Sequence, residues 1–142
     1  MIEEDLVDVL DRLRRLETGK HPLRNAPLSP PLLSLLSQVI RSRGAHPGEI
    51  AAVLGVTPPT VSVAVRRLEA YGFVERRPDP DDRRAVKLLP TRKGQALHTH
   101  VQSFRRDKAR RLLAGLTPQE QETLLSLLEK ALQHAEGSTE RG

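Results

Sequence analysis

A mainly α-helical protein with a single small β-wing is the fold class that the sequence predicts, and three observations predict it. Aliphatic residues recur at helical spacing through most of the 142 residues. Hydrophobic residues make up 37% but aromatics only 2%, so the core has to be built from leucine and valine, the material of helical bundles. From Pro47 to Leu89 the chain reads as a short helix, a tight turn, a second helix, and two runs of strand character around Pro78-Asp79-Pro80-Asp81-Asp82. That order of elements is a winged helix-turn-helix. Leucine stripes then lie on both sides of the module, more apolar surface than so small a unit needs, and a second copy of the chain is the expected partner for it. By length the chain is one domain, 1–142, with the winged helix-turn-helix module at 28–94 and dimerisation helices expected at 1–17 and 95–136.

At the amino end, Ile2, Leu6, Val9, Leu13 and Leu16 are spaced 4, 3, 4 and 3 residues apart, with Leu10 beside them. This heptad-like stripe reads as an interface helix, the alternative being a core helix of the monomer. Its acids (Glu3, Glu4, Asp5, Asp8) precede its bases (Arg12, Arg14, Arg15), as the helix dipole prefers. Thr18 to Leu28 contains two prolines, a glycine and an asparagine, and is expected to be a loop. Ser29-Pro30-Pro31 then offers a cap followed by proline, opening a helix whose buried stripe is Leu32, Leu35, Leu36, Val39 and Ile40.

His46-Pro47 opens the first helix of the helix-turn-helix, with Ile50, Ala51 and Leu54 facing inward. Ala51, Gly55 and Val61 supply a small residue where helices cross, a turn glycine and an apolar anchor. Thr57 is placed to cap the second helix, with Pro58 at its first position, where a missing N–H costs nothing. Val61, Ala64, Val65 and Leu68 form the buried face. Pro59, Val63, Arg66 and Ala70, flanked by Thr60, Ser62 and Arg67, form the opposite one. Hydroxyls, methyls and cations without a carboxylate suit a DNA major groove, where arginine reads guanine and methyl groups touch thymine.

Gly72 ends that helix, and Phe73 to Arg77 and Arg84 to Leu89 read as the strands of the wing. On an extended segment Asp82 and Arg84 share a face, and a carboxylate there fixes the direction of the guanidinium. Arg76, Arg77, Arg83 and Lys87 are expected to bind phosphate. Thr91 is placed to cap a long helix reaching Ala114, with Leu97, Val101, Phe104, Leu112 and Leu113 on its apolar face. Thr117-Pro118-Gln119-Glu120 is a capping box, and Leu124, Leu127, Leu128, Ala131 and Leu132 give the last helix its stripe. Glu136 to Gly142 is expected to fray.

Composition excludes several classes of function. Lys plus Arg number 23 against 18 acids, and residues 45–94 carry nine bases against six acids, so the central module holds more than half of the surplus. The absence of cysteine rules out disulfides, thiolate nucleophiles and cysteine-based peroxide sensing. The acidic amino terminus is not a signal peptide and no apolar run spans a membrane, so a cytoplasmic protein without a membrane partner is expected. No phosphate loop, nucleophile elbow or facing carboxylates indicate an enzyme. No metal or other cofactor is expected: His98 and His100 point about 200° apart on a helix, and His21, His46 and His134 read as isolated. Asp79, Asp81 and Asp82 read as turn chemistry, and the basic run Arg105 to Arg111 as solvated charge with Asp107, Glu120 and Glu122 in reach.

Leu28 to Ala96 resembles the MarR family (multiple antibiotic resistance regulators), in LSPPLLSLL, GEIAAVLGVTPPTVSVAVRRLEAYGFVERR, DPDDRR and PTRKG. Asp82-Arg83-Arg84 is the most specific match. The resemblance implies that Arg84 enters the minor groove at the wing tip and that Asp82 orients it. It also implies a homodimer built from the terminal helices, acting as a repressor on double-stranded DNA. Release by a small aromatic or amphipathic anion follows from the same likeness, with Arg12, Arg15 and Arg24 as candidates for its carboxylate. Two positions depart from the family pattern: Pro90 stands where leucine is common, and Val63 where a longer polar residue is common. An alternative reading of the same fold is a winged-helix scaffold that contacts protein instead of DNA; a steep salt dependence of DNA affinity separates the two.

Overall fold

The computed structural model describes residues 1–16 and 28–139. Its elements run α1 (Ile2–Arg15), α2 (Pro30–Arg41), α3 (Pro47–Leu54), α4 (Pro58–Ala70), β1 (Val74–Pro78), β2 (Val86–Pro90), α5 (Arg92–Leu113) and α6 (Pro118–Thr139). The chain divides into two compact units, Met1–Phe104 and Arg105–Gly142. Among the described residues no single helix is long and apolar enough to cross a membrane.

The core of the first unit is aliphatic, as its composition requires. Leu32, Leu35, Leu36 and Val39 of α2 meet Ile50 and Ala51 of α3, Val61, Val65 and Leu68 of α4, and Phe73, Val74 and Leu88 of the wing. Side chains at i, i+3 and i+4 line one side of each helix, and three such stripes close on one another. Two glycines make the corners. Gly55 ends α3 at φ +66° and Gly72 follows α4 at φ +80°, a region that side chains with a Cβ avoid.

The wing is an antiparallel pair with Val74 opposite Pro90 and Pro78 opposite Val86. Both strands are shifted from their expected limits. Phe73 is still in the exit from α4, its N–H bonded to Leu68 O, and pairing starts at Val74. Arg84 is not in a strand, because Asp82 bends the chain: its carboxylate accepts the Arg84 N–H at 3.0 Å and its carbonyl accepts that of Ala85. Extended structure therefore resumes only at Val86. A third segment joins the sheet edge, since Gly44 N–H bonds Leu88 O and Leu88 N–H bonds Ala45 O, each at 3.0 Å. Pro90 is buried at the end of β2, where an absent N–H is tolerated.

Helix starts follow the local sequence closely. Thr57 Oγ1 accepts from Thr60 N, and Thr91 Oγ1 from Gly94 N. Thr117 and Glu120 form the complete reciprocal box, at 2.9 and 3.2 Å. The Thr117 amide and hydroxyl hold the Glu120 carboxyl below its ordinary pKa, so this cap is intact at neutral pH and is lost as pH falls through the lowered value. Ser29 occupies the N-cap of α2, but its hydroxyl makes no capping bond. At the carboxyl end α6 does not fray at Glu136; it continues to Thr139, with Ser138 and Thr139 hydroxyls bonded to the carbonyls of His134 and Ala135. The loop expected at Thr18 to Leu28 lies outside the described residues except for Leu28, which is buried.

The terminal helices bury nothing. α1 and α6 each contain no buried residue, and Ile2, Leu6, Val9, Leu10, Leu125, Leu127, Leu128 and Leu132 are exposed. In the second unit Asp107 pairs with Arg110 at 3.0 Å, one of the partners expected for the basic run.

Candidate nucleic-acid interface

The candidate interface is built on the side of α4 that faces away from the core. With Val61, Val65 and Leu68 buried, the helical period leaves Pro59, Thr60, Val63, Arg66 and Arg67 exposed and Ser62 half-buried. Thr57 and Thr60 hydroxyls are 2.8 Å apart at the first turn of α4, where Pro58 and Pro59 carry no N–H and the Thr60 and Val61 amides bond back to Thr57. Val63 is 54% exposed. It lies in a shallow groove with Thr60, Ala64 and Arg67 on one wall and Ser29, Pro31 and Leu32 on the other. Nothing in the sequence hints that the start of α2 borders this face, because about thirty residues separate the two walls and no periodicity links them.

The cations divide by what holds them. Arg76 Nε lies 3.3 Å from Glu69 Oε2, which ties β1 to the end of α4, and Arg77 pairs with Glu75 at 2.8 Å. Arg66, Arg67, Arg83 and Arg84 enter no ion pair among the described residues, and all four are exposed. These are the guanidiniums free to meet phosphate or base edges. Asp82 and Arg84 are adjacent as expected, though through the turn and not along a strand face. The carboxylate fixes the Arg84 backbone and leaves the guanidinium unpaired.

His46 is not isolated. Its Nε2 lies 2.7 Å from Asp79 Oδ2 and its Nδ1 2.9 Å from Glu49 Oε1, which joins the start of α3 to the base of the wing. Asp79 is 7% exposed, accepts the Asp81 N–H at 2.9 Å, and has Lys87 Nζ at 3.9 Å. The turn chemistry expected of this aspartate is present, and a buried contact is added to it. The hydrogen bond to Asp79 raises the His46 pKa; partial desolvation opposes it, and the charges of Glu49, Asp79 and Asp82 reinforce it. Asp79 is held below the ordinary carboxylate range by the Asp81 N–H first and by His46 next.

Behind the wing, α5 is locked to the end of α4. Thr91 Oγ1 donates to Gly72 O, Thr91 N–H bonds Phe73 O at 3.1 Å, and Lys93 Nζ bonds Tyr71 O at 2.8 Å while lying 4.9 Å above the Phe73 ring. Gly94 packs directly on the Phe73 backbone. Of the three arginines proposed for an anion, Arg12 and Arg15 are exposed on α1 and Arg24 lies outside the described residues. Among the described residues no group of three or more His, Asp or Glu side chains is arranged to hold a metal ion.

Comparison with known proteins agrees with this geometry. The MarR family model matches residues 28–86, from the segment before α2 to the start of β2. HTH-type transcriptional repressor Rv2887 of Mycobacterium tuberculosis is 31% identical over 123 residues, covering 83% of this chain and 88% of that protein. The crystal structure of transcriptional regulator Tm0710 from Thermotoga maritima is 30% identical, with a TM-score of 0.64 and coverage of 96% of this chain and 95% of that one. Streptococcus pneumoniae FabT, crystallised in complex with DNA, shares the fold with a TM-score of 0.77, at 24% identity and 96% coverage of both chains. With the family model lying on the helix-turn-helix and wing, and a relative matched along most of its length, the chain belongs to the MarR family of DNA-binding transcriptional regulators and is not an enzyme.

Proposed function

We propose that this regulator is a cytoplasmic homodimeric repressor of a pseudo-palindromic operator, with residues 28–94 as the DNA-binding head and residues 1–17 and 95–136 as the dimerisation region. The observation that carries the reading is the pairing of an exposed α4 face of hydroxyls, methyls and two arginines with the wing arginines Arg83 and Arg84, which no acid neutralises among the described residues. Support comes from two relatives: Rv2887 is named a transcriptional repressor, and FabT was crystallised with DNA. In this reading α4 lies in the major groove, where Thr57, Pro59, Thr60, Ser62, Val63, Arg66 and Arg67 face bases and phosphates. Arg76, Arg77 and Arg83 then position the wing on the backbone, and Arg84 enters the adjacent minor groove. Selection of bound sequences from a random DNA pool is the test. An inverted repeat is the expected product, and a pool that stays random would overturn the reading.

The wing makes a sharper expectation. Arg84→Ala should weaken operator binding by about 1–3 kcal/mol, the scale of one lost specific contact. The loss should be largest where A·T flanks narrow the minor groove and concentrate its negative potential. Asp82 is an anion facing DNA, so a purely electrostatic account has Asp82→Ala binding more tightly. Because its carboxylate instead pins the Arg84 N–H, Asp82→Ala should weaken binding, and Asp82→Asn, which keeps an acceptor oxygen, should restore most of it. The double variant Asp82→Ala with Arg84→Ala should be little worse than Arg84→Ala alone. Filter-binding titrations of wild type and the four variants decide this, and losses that simply add would show that Asp82 does not act through Arg84.

Release by a small aromatic or amphipathic anion, with Arg12, Arg15 and Arg24 as its proposed partners, completes the proposal. A ligand can shift DNA affinity only by preferring the form that does not bind the operator. Salicylate-like compounds should therefore lower operator affinity and raise the thermal midpoint of the DNA-free protein together. Operator affinity that stays constant across such compounds would remove this part of the reading.

A further inference from the structure

His46 and Asp79 are 33 residues apart, and their contact adds a side-chain tie between the start of α3 and the loop of the wing, next to the backbone bonds that join Gly44 and Ala45 to Leu88. His46 is the N-cap of α3, its carbonyl accepting the N–H groups of Glu49 and Ile50 at 3.1 and 3.2 Å, so the position of the ring is set by the helix-turn-helix. Asp79 belongs to the wing. Its N–H bonds Ala85 O at 3.1 Å and its carbonyl accepts from Asp82 N, so this one residue closes the loop that carries Arg83 and Arg84. The ring meets a carboxylate oxygen at each nitrogen, 2.7 Å from Asp79 and 2.9 Å from Glu49. Ionised carboxylates only accept, and a neutral imidazole has one donor. Only the imidazolium satisfies both contacts; the neutral ring turns a lone pair on one of them.

We propose that His46 is a positioning residue for the wing: as an imidazolium it clasps Asp79, fixes loop 79–85 against the helix-turn-helix, and couples DNA binding by Arg83 and Arg84 to one proton. Its affinity readout rests on the operator-binding function proposed above. The charged groups around the ring are Glu49 from α3, Asp79 and Asp82 from the wing loop, and Lys87 from β2, which lies against Asp79. Three carboxylates outweigh one ammonium, so the seated wing holds the proton more tightly than a detached one. With the folded value raised, the clasp is complete below the ordinary histidine pKa and is lost as pH rises through the raised value. Once the clasp opens, loop 79–85 samples other orientations while β2 stays bonded to Gly44 and Ala45, and the cost of ordering the loop falls on DNA binding.

The test uses the full chain and a selected operator at constant ionic strength. Between about pH 6 and about pH 8.5 wild-type affinity should fall on the order of three- to tenfold, each unit of linked pKa difference being worth about tenfold at most. His46→Gln keeps an N–H for Asp79 but carries no charge, and should give a flat profile; His46→Ala should be flat and weaker throughout. In DNA-free protein, nuclear magnetic resonance should show the wild-type His46 ring titrating above its ordinary value and returning toward it in Asp79→Asn. A His46→Gln profile as steep as wild type, or a His46 titration unmoved by a folded Asp79→Asn, would overturn the proposal. If Asp79→Asn does not fold, the wild-type titration and the His46→Gln profile decide the matter. If selection returns no operator, the function proposed above fails while the ring titrations still test the clasp.

Discussion

Leu13→Glu together with Leu128→Glu should convert the proposed dimer to a monomer and weaken operator binding on the order of 10²- to 10⁴-fold, the loss expected when two linked heads become independent. The physical case rests on the terminal helices. α1 is 14 residues long and buries none of them, yet isolated helices of about that length are marginal in water. Leu127, Leu128 and Leu132 stay at least half exposed on α6, and apolar faces of this size on a folded chain mark an association surface. Because Leu128 does not contribute to the core of the single chain, charging it should leave the helix content unchanged, which circular dichroism checks directly. Two heads are needed because half-sites on an inverted repeat lie about 34–36 Å apart, one turn of the duplex. Sedimentation equilibrium measures the oligomer. A wild-type monomer at micromolar concentration would remove the homodimer from the proposal.

Gly94→Ala should be the most damaging small substitution in the DNA-binding module. A Cβ built at Gly94 meets Phe73 O at 2.1 Å and Phe73 C at 3.0 Å, and these are backbone atoms that cannot rotate away. Phe73 O is also the acceptor of the Thr91 N–H, so any shift that relieves the clash breaks the bond that starts α5. Overpacking of this kind costs about 1–3 kcal/mol or more, and for a chain of this length each 1 kcal/mol lowers the thermal midpoint by roughly 2–4 °C. Gly55→Ala gives the contrast. Its φ of +66° makes the substitution strained, but nothing lies within 4 Å of the new Cβ, so only the conformational cost of about 1–2 kcal/mol applies. Thermal unfolding of the two variants side by side should therefore rank Gly94→Ala as the less stable. The reverse order would show that α5 moves away from Phe73 without cost.

The difference between these two glycines shows where local sequence stops being informative. Gly55 is recognisable without a structure, because it follows a helical stripe and precedes Thr57-Pro58, and only a left-handed residue makes that corner. Gly94 looks like an ordinary helix glycine until the α5 backbone is seen lying on Phe73. The same division separates the acids of the wing. Asp82 reads correctly as a turn former, since the amide it binds is two residues away. Asp79 reads the same way and is more than that, because His46 comes to it from 33 residues upstream.

What the sequence by itself determined is most of what has its cause within about one turn of chain, the uncapped Ser29 of α2 being an exception. The Thr57-Pro58 start of α4, the Thr117 to Glu120 capping box, the glycine corners and the buried stripes of α2 and α4 depend on neighbours at i+2 to i+4, and the structure shows each of them. The exposed face of α4 followed as the complement of its buried one. Only the tertiary structure decided which cations stay available: Glu69 takes Arg76, Glu75 takes Arg77, and Arg66, Arg67, Arg83 and Arg84 are left without ion pairs among the described residues. It also decided that Gly44 and Ala45 extend the wing and that His46 reaches Asp79. The contacts of Glu69 with Arg76, of Gly44 and Ala45 with Leu88, and of His46 with Asp79 depend on distances between separate elements, set by how the aliphatic core closes, and the helical and strand periods of the chain carry no record of them.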